Sequence, residues 1–563
     1  MKSTRLTLPL ILCSIIGIFL ILKLKLLFAR QFDPDEFAYL HWAWLTVQGK
    51  IPYRDFFFYA TPIFLWPLCI LFLLGDGPGI AIGGRLLMFL VYGGVLASTY
   101  SLAYAITKNK IPSLLTLILL LSFPMTYDKT IEIRPDSLMM LLFLGSFLLI
   151  VKNKYVFAGI LSGINALMFQ KIIILLPALI PLFLTQRSQV KKRSLGFIAG
   201  TFIPAGIFLL YLTSHSILWD AWNAVVTISR LVNNDQWGFP PLTGLMPYPY
   251  VYLTEGGISF PWIVNTVIIL LSVIGLPILF WKTKKTPSLF FFSLLFYILS
   301  IALFLLFPRP HMQYFIPFTI IASLCAALSI QEILTLISRR VSMRYLEPFA
   351  YVAISLTLLT SFSLQTMDRV RDGNTNDEQL QVLRDTARII KPGETVYDEV
   401  GSYIFRPDGY FICCHHYEQF VDKLDPSLWS LKEHLIKNKT KFIVLDQKGF
   451  AFWTPKPDDV NFIISTYAPS AYKKIYTLGV RFQCDKNVCT QLNVHGNPIS
   501  EKQVSSFPIV VEEHYVIHIQ PEGEEISLNN SSYHNNDSIR LPVGTYTFLP
   551  RIGVTGFSVQ LDR

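Results

Sequence analysis

The chain has 563 residues, of which 52% are hydrophobic and only 15% are charged. Soluble proteins carry about 25% charged residues, so this composition excludes an ordinary soluble protein, a disordered chain and a small disulfide scaffold. The formal net charge of +10 lies in short loops between apolar segments, which indicates membrane orientation rather than nucleic-acid binding. The sequence therefore predicts an integral protein whose partner is a lipid bilayer and not a nucleic acid.

Apolar segments long enough to cross a bilayer recur up to about residue 366. Lys and Arg residues occupy alternate loops, so the positive-inside rule places the N-terminus inside and the C-terminus outside. Lys23 and Lys25 lie within the first span and are expected to reach the outer interface or line a cavity. The run 61–74 is broken by Pro67 and predicts a juxtamembrane or re-entrant helix. We predict a polytopic α-helical protein of the plasma (inner) membrane, with about eleven spans: 7–29, 80–107, 112–127, 137–151, 155–170, 172–186, 194–213, 260–281, 287–307, 314–337 and 347–366.

The tail beyond these spans has the composition of a soluble region. Apolar residues recur at helical spacing over 375–391, and the segments ETVYDE and KFIVLD are typical of strands with a helix between them. VVEEHYVIHI and GTYTFLP alternate like strands, and the polar run LNNSSYHNNDS between them predicts a loop. The predicted domains are a membrane domain at 1–366, an extracytoplasmic α/β domain at 367–480 and a small β-rich module at 481–563.

Four cysteines lie in the tail, where the predicted location permits oxidation. Their spacing predicts a disulfide between Cys484 and Cys489. The adjacent pair Cys413-Cys414, followed by two histidines, is compatible either with metal binding or with an ordinary structural role. No zinc-binding pattern is present in their spacing.

The first outer loop carries three acids, Asp33, Asp35 and Glu36, immediately after the first span. A carboxylate at the membrane surface beside apolar walls can act as a general base. The same acids would also cap a helix that begins near Phe37, because acids favour helix N-termini. The sequence leaves both interpretations open.

Three further loops on the same predicted side carry basic and polar residues. Arg134 and Asp136 stand at the start of a span, where the arginine suits either a phosphate or a structural pair with an acid. Lys171 interrupts two apolar runs and suits either a phosphate or the membrane interface. The fourth loop supplies hydrogen-bonding groups in the segment RPHMQYFIP, namely Arg309, His311 and Tyr314.

With these loops in order, the chain resembles the multispan glycosyltransferases of the GT-C superfamily. The resemblance is to the group that includes protein O-mannosyltransferases and the aminoarabinose transferase acting on lipid A. It covers about residues 1–345 and rests on the segments DPDE, PYRDFF, IRPDSLMM, GINALMFQK and RPHMQYFIP. It implies that a hexose or pentose passes, with inversion, from a polyprenyl-phosphate donor to a lipid, polysaccharide or protein acceptor at the outer face. No cofactor is required by this scheme, although the acid cluster is compatible with a divalent cation.

The resemblance also implies roles for individual residues. Asp35 corresponds to the general base, Glu36 to a group that positions it, and Asp136 to a residue that positions acceptor or sugar. A lysine-plus-prolines motif after the first loop is replaced here by Ala60-Thr61-Pro62, so Arg54 is expected to take over one phosphate contact. The other expected phosphate or substrate contacts come from the later loops: Arg134, Lys171, Arg309, His311 and Tyr314.

Two other classes of function fit a polytopic protein. A transporter or flippase of a lipid-linked or polar solute would place charges near the bilayer midplane. A non-catalytic envelope scaffold would need only a binding tail. The ionisable residues lie mostly at span ends and the sequence shows no internal repeat, which favours the enzyme.

Overall fold

A computed structural model describes the chain over these residues: 2–184, 189–228, 253–254, 257–258, 260–306, 311–341, 346–371, 375–398, 400–414, 430–445, 457–485, 488–493, 496–499 and 504–562. The α-helices, in chain order, are α1 (Lys2–Ala29), α2 (Pro34–Val47), α3 (Leu65–Cys69), α4 (Gly79–Thr107), α5 (Lys110–Ser122), α6 (Pro135–Val151), α7 (Tyr155–Met168), α8 (Ile180–Phe183), α9 (Val190–Ser214), α10 (Leu218–Trp222), α11 (Phe260–Thr283), α12 (Pro287–Leu305), α13 (Ile316–Val341), α14 (Leu346–Arg369), α15 (Asp377–Ile389), α16 (Leu431–Lys437) and α17 (Pro457–Thr466).

Seven described helices are long and apolar enough to cross a membrane: α1, α4, α9, α11, α12, α13 and α14. They coincide with seven of the predicted spans. Three other predicted spans correspond to the shorter apolar helices α5, α6 and α7. The predicted span 172–186 is divided into short helical pieces at Pro177 and Pro181, because proline cannot donate to a helix interior. The protein is therefore an integral, multi-pass membrane protein.

Small residues allow the helices to approach one another closely. A side chain at Gly159 or Gly163 of α7 would collide with the backbone of α9, and one at Gly200 of α9 would collide with α7. Gly275 of α11 meets the backbone at Cys325 of α13 in the same way. Such contacts are typical of helix packing in lipid, where close van der Waals contact replaces the hydrophobic effect.

The strands of the chain, in order, are β1 (Leu253–Thr254), β2 (Gly257–Ile258), β3 (Val396–Tyr397), β4 (Phe442–Val444), β5 (Tyr467–Pro469), β6 (Ile475–Asp485), β7 (Val488–Leu492), β8 (Ser506–Ile509), β9 (Glu513–Gln520), β10 (Glu525–Leu528), β11 (Ser531–His534), β12 (Ser538–Leu541), β13 (Gly544–Pro550) and β14 (Gly556–Leu561). The tail has one eight-stranded sheet, along which β12-β9-β14-β6-β4-β3 are neighbours. A second, four-stranded sheet has the order β11-β10-β13-β8.

Strand β6 connects the two parts of the tail. Its first residues pair with β4, whereas residues 479–483 pair with β14 of the β module. The predicted domain boundary at residue 480 therefore falls inside a strand. Phe482 and Phe557 of this sheet pack on Phe507 and Phe548 of the second sheet, with ring centroids 4.7–5.8 Å apart, so one aromatic core joins the sheets.

The predicted loop at 528–538 is wrong, because it contains β11. Asn529 and Asn530 adopt left-handed backbone conformations, with φ of 46° and 69°, and form the tight turn of a β10–β11 hairpin. Asparagine tolerates this conformation, and a polar strand suits a sheet edge that is exposed. The predicted disulfide between Cys484 and Cys489 is confirmed and joins β6 to β7.

The tail is bound to the end of α1. The Asn376 amide donates to the carbonyl of Ala29 at 3.0 Å, and its side chain donates to Phe28 at 2.9 Å. The Gln379 side chain on α15 accepts from the Phe32 amide at 2.7 Å and donates to the Phe32 carbonyl at 3.2 Å. These bonds hold the segment that leads into the acidic loop.

Candidate active site

The acidic loop forms the start of α2. Asp33 is the N-cap of this helix and accepts from the Asp35 amide at 3.2 Å, while the Glu36 side chain accepts from the Asp33 amide at 2.9 Å. This reciprocal arrangement is a capping box, which satisfies amides that the helix leaves unpaired. The capping interpretation thus holds for Asp33 and Glu36, and the helix begins at Pro34 rather than near Phe37.

Glu36 is fully buried against Arg85 of α4. The guanidinium donates through Nε and Nη2 to the two carboxylate oxygens, at 2.8 Å and 2.7 Å. The amide of Ile133 adds a third contact to the carboxylate at 3.2 Å. Arg85 also donates to three backbone carbonyls at the end of α1, those of Leu27, Arg30 and Gln31. Glu36 therefore fixes the first loop in place and is closed to a second molecule.

Arg134 joins the first loop to the second. Its Nη2 lies 2.6 Å from Asp33, its Nη1 lies 2.6 Å from Asp35, and its Nε lies 2.9 Å from Glu132. All three nitrogens of the guanidinium are thus directed at carboxylates. Such bonds to charged groups are among the strongest and most directional in proteins.

Two further cations complete this cluster. Lys129 lies 2.7 Å from Glu132 and 3.4 Å from Asp33, and Arg30 lies 2.7 Å from Glu132. Burial opposes the ionisation of Asp33, but the nearby Arg134 and Lys129 outweigh it and hold the pKa of this carboxyl well below its usual range. The acids of the cluster are matched by cations of the same loops.

Asp35 is the most exposed acid of the first loop. Its side chain is 35% exposed, compared with 21% for Asp33 and 0% for Glu36. One carboxylate oxygen is held by Arg134. Asp35 thus combines a fixed orientation with access to a second molecule.

The other half of the site comes from the later loops. Asp136, in the first turn of α6, is buried, and its Oδ1 has no hydrogen-bond partner within the described residues. Lys171 interacts electrostatically with Asp136 and Arg134, and its Nζ lies 3.4 Å from the ring centroid of Tyr314. His311 packs edge-on against the same tyrosine at 5.7 Å. The structure therefore brings Asp35, Arg134, Asp136, Lys171, His311 and Tyr314 together.

Burial controls the charge of Lys171. It lowers the pKa of Lys171 to about 7, although nearby Asp136 acts in the opposite direction. Lys171 therefore changes its charge near pH 7.

Two predicted site residues are placed elsewhere or not described. Arg54 is half exposed and pairs with its neighbour Asp55 at 3.1 Å. Arg309 lies outside the described residues, as do the two histidines after Cys414. Lys23 extends towards the predicted outer side but is fully buried there, because its ammonium donates to Tyr127 and Thr130 of the second loop.

The sequence reasoning missed the cations of the cluster: Arg30, Arg85 and Lys129. Arg85 left a usable signal, because an arginine inside an apolar run of a membrane protein needs a buried partner. Arg30 and Lys129 gave no such signal, since basic residues at span ends are common. Their role depends on contacts between loops that are about a hundred residues apart, such as that of Lys129 with Asp33.

Comparison with known proteins is informative at the level of fold. No family model matches the chain, and no curated protein matches its sequence. The apo structure of ArnT from Cupriavidus metallidurans is similar with a TM-score of 0.55 and 13% identity, over 83% of this chain and 96% of that one. ArnT bound to undecaprenyl phosphate is similar with a TM-score of 0.50 and 12% identity, over 71% and 84%. An oligosaccharyltransferase from Archaeoglobus fulgidus gives a TM-score of 0.48 and 10% identity, over 98% and 96%. The chain shares the GT-C fold of these ArnT structures.

Proposed function

We propose that the chain is a membrane glycosyltransferase that moves a sugar from a polyprenyl-phosphate donor to an acceptor hydroxyl. The observation that carries this proposal is the placement of an exposed, arginine-held carboxylate, Asp35, beside the buried Asp136 and Lys171 within a GT-C fold. The donor class is supported by the ligand of a similar structure, since ArnT from C. metallidurans is bound to undecaprenyl phosphate. The predicted outer face is the side on which we place the reaction.

Asp35 is the proposed general base. It takes the proton from the acceptor hydroxyl as the acceptor oxygen bonds to the anomeric carbon and the bond from that carbon to the phosphate oxygen breaks. The products are the glycosylated acceptor and polyprenyl phosphate, and a single displacement inverts the anomeric centre. Glu36 acts only by positioning, because Arg85 occupies both of its oxygens.

Arg134 is better suited to hold the base than to hold the donor. Its three nitrogens already bind Asp33, Asp35 and Glu132, so a phosphate would have to displace a carboxylate. We therefore assign the phosphate contact within the described residues to Lys171. A fixed cation there stabilises the charge that develops on the departing phosphate.

Asp136 is the proposed positioning residue for a sugar or acceptor hydroxyl. A buried carboxylate oxygen is costly when it has no partner, as here among the described residues, and a hydroxyl of the substrate would satisfy it. Because the acids of the first loop are already paired with cations, the reaction as proposed uses no divalent cation among them.

The test is transfer of radiolabelled sugar from polyprenyl-phosphate donors in membranes that hold the wild type, Asp35→Asn or Asp76→Asn. Asp76 is an exposed acid beyond the first loop, so its variant is the matched control. We expect Asp35→Asn to reduce turnover by about 10²–10⁴-fold while the control stays at the wild-type rate. Near-normal turnover by Asp35→Asn would show that Asp35 is not the general base. Movement of labelled lipid or solute across the bilayer, without donor consumption, would instead favour a transporter.

A further inference from the structure

A second cluster of reactive side chains lies where α2 meets the tail. His41 of α2 faces Asp408, Cys413 and Cys414 of the tail, and one ligand atom from each lies within 4.8 Å of all the others. His41 and both cysteines are buried, and the Asp408 side chain is 10% exposed. The proposed reaction uses none of these four residues.

The hydrogen bonds of His41 define which ring nitrogen faces the cluster. Nδ1 lies 2.7 Å from the carbonyl oxygen of Ile404, which can only accept, so Nδ1 must carry a proton. In the neutral ring, Nε2 then presents a lone pair to the Asp408 carboxylate at 2.7 Å. Two acceptors at that distance require a proton or a metal cation between or beside them.

The two cysteines are joined in this structure by a disulfide between adjacent residues. A disulfide stabilises a fold mainly by closing a loop of the unfolded chain, and a bridge between neighbours closes almost none. The Cys484–Cys489 bridge differs, because it joins two strands. The adjacent pair therefore contributes chemistry at this place rather than a constraint on the chain.

We propose that, with both cysteines as thiols, this cluster is a zinc site. One imidazole nitrogen, one carboxylate oxygen and two thiolate sulfurs form a four-ligand set of the types that zinc prefers. The surroundings are those of a metal site: Ile404 orients the imidazole, and the Tyr403 hydroxyl donates to Asp408 and lies 3.1 Å from Cys413 Sγ.

The two states of the cluster exclude each other. The disulfide takes up two electrons and two protons from a dithiol reductant to give two thiols, and zinc binding to the thiolates then releases both protons. Oxidation removes both sulfur ligands and therefore the site. The backbone at Gly401 packs tightly against the cluster, because a side chain there would lie 2.6 Å from Cys414 Sγ. The φ of Gly401 is +71°, a conformation that favours glycine.

Zinc at this place would link the membrane domain to the tail. His41 lies on the helix that begins at the acidic loop, whereas the other three ligands belong to the tail. The metal would hold that helix against the tail, as a structural site with four protein ligands.

The experiment uses the full-length chain in detergent, purified without a polyhistidine tag and without chelator. Zinc content and zinc affinity are measured after reduction for the wild type, for Cys413→Ser/Cys414→Ser and for the control Cys484→Ser/Cys489→Ser. We expect about one tightly bound zinc per chain in the reduced wild type and control, and none in the first variant. Cobalt in place of zinc should give a thiolate-to-metal charge-transfer band in the same two proteins.

A second arm needs no variant that removes a ligand. The reduced wild type should gain thermal stability with added zinc, and the oxidised wild type should not. Tyr403→Phe should bind zinc about 10–100-fold more weakly, because it removes one supporting hydrogen bond. Failure of the reduced wild type to bind zinc, or equal binding by the oxidised protein or the Cys413→Ser/Cys414→Ser variant, would overturn the proposal. The contact between His41 and Asp408 would then be an ion pair without a metal.

Discussion

Replacing Glu36 by glutamine tests whether the buried pair with Arg85 holds the first loop. Both side chains are fully buried, and the substitution removes the only negative charge that Arg85 contacts among the described residues while retaining the size of the side chain. Removing one partner of a buried ion pair leaves an uncompensated charge and costs about 3–5 kcal/mol. We therefore expect Glu36→Gln to lower the free energy of unfolding by that amount.

Unfolding in mixed micelles of dodecylmaltoside and dodecyl sulfate measures this free energy. Glu332→Gln is the control, because it breaks the partly exposed pair with Lys282 and is expected to cost about 0–1 kcal/mol. The double variant Glu36→Gln/Arg85→Met should lose less than the sum of its single variants, since it buries no unpaired charge. A loss of less than about 1 kcal/mol for Glu36→Gln, equal to the control, would refute the reasoning.

Two other predictions concern a titrating lysine and a disulfide. Lys171 loses its charge as pH rises through about 7, so kcat/KM for the donor should fall about tenfold per pH unit above that value, and Lys171→Arg should abolish the fall. An unchanged pH profile in Lys171→Arg would show that Lys171 does not bind the donor phosphate. Replacing Cys484 and Cys489 by serine opens a short closed loop and should destabilise the tail by on the order of 2 kcal/mol in chemical unfolding, with transfer activity retained. Loss of transfer without loss of stability would contradict that expectation.

The sequence was sufficient to predict the positions of the long helices. The predicted span 80–107 differs by one residue from α4, because a long apolar run with few charges leaves a single interpretation. The predicted tail helix at 375–391 corresponds to α15 for the same reason of clear periodicity. The polar hairpin that contains β11 was not predicted, because its edge strand has no alternation of apolar and polar residues.

Only part of the membership of the candidate site could be predicted. The order of the loops along the chain indicated that Asp35, Arg134 and Asp136 act together, and the structure places them in one cluster. The pairing inside the cluster could not be derived, because it depends on side-chain geometry between distant segments. The approach of His41 to Asp408 is of the same kind, since 367 residues separate them.

The bonds between Phe32 and Gln379 set an order of assembly for the nascent chain. The backbone that leads into the acidic loop emerges early in synthesis, but the side chain that satisfies it is added 347 residues later. The ribosome must therefore complete the whole membrane domain and begin the first helix of the tail before this part of the first loop has its partner. A truncated chain would contain the acids of the site but would lack the hydrogen bonds from Gln379 to Phe32. Completion of the site is therefore coupled to synthesis of the tail.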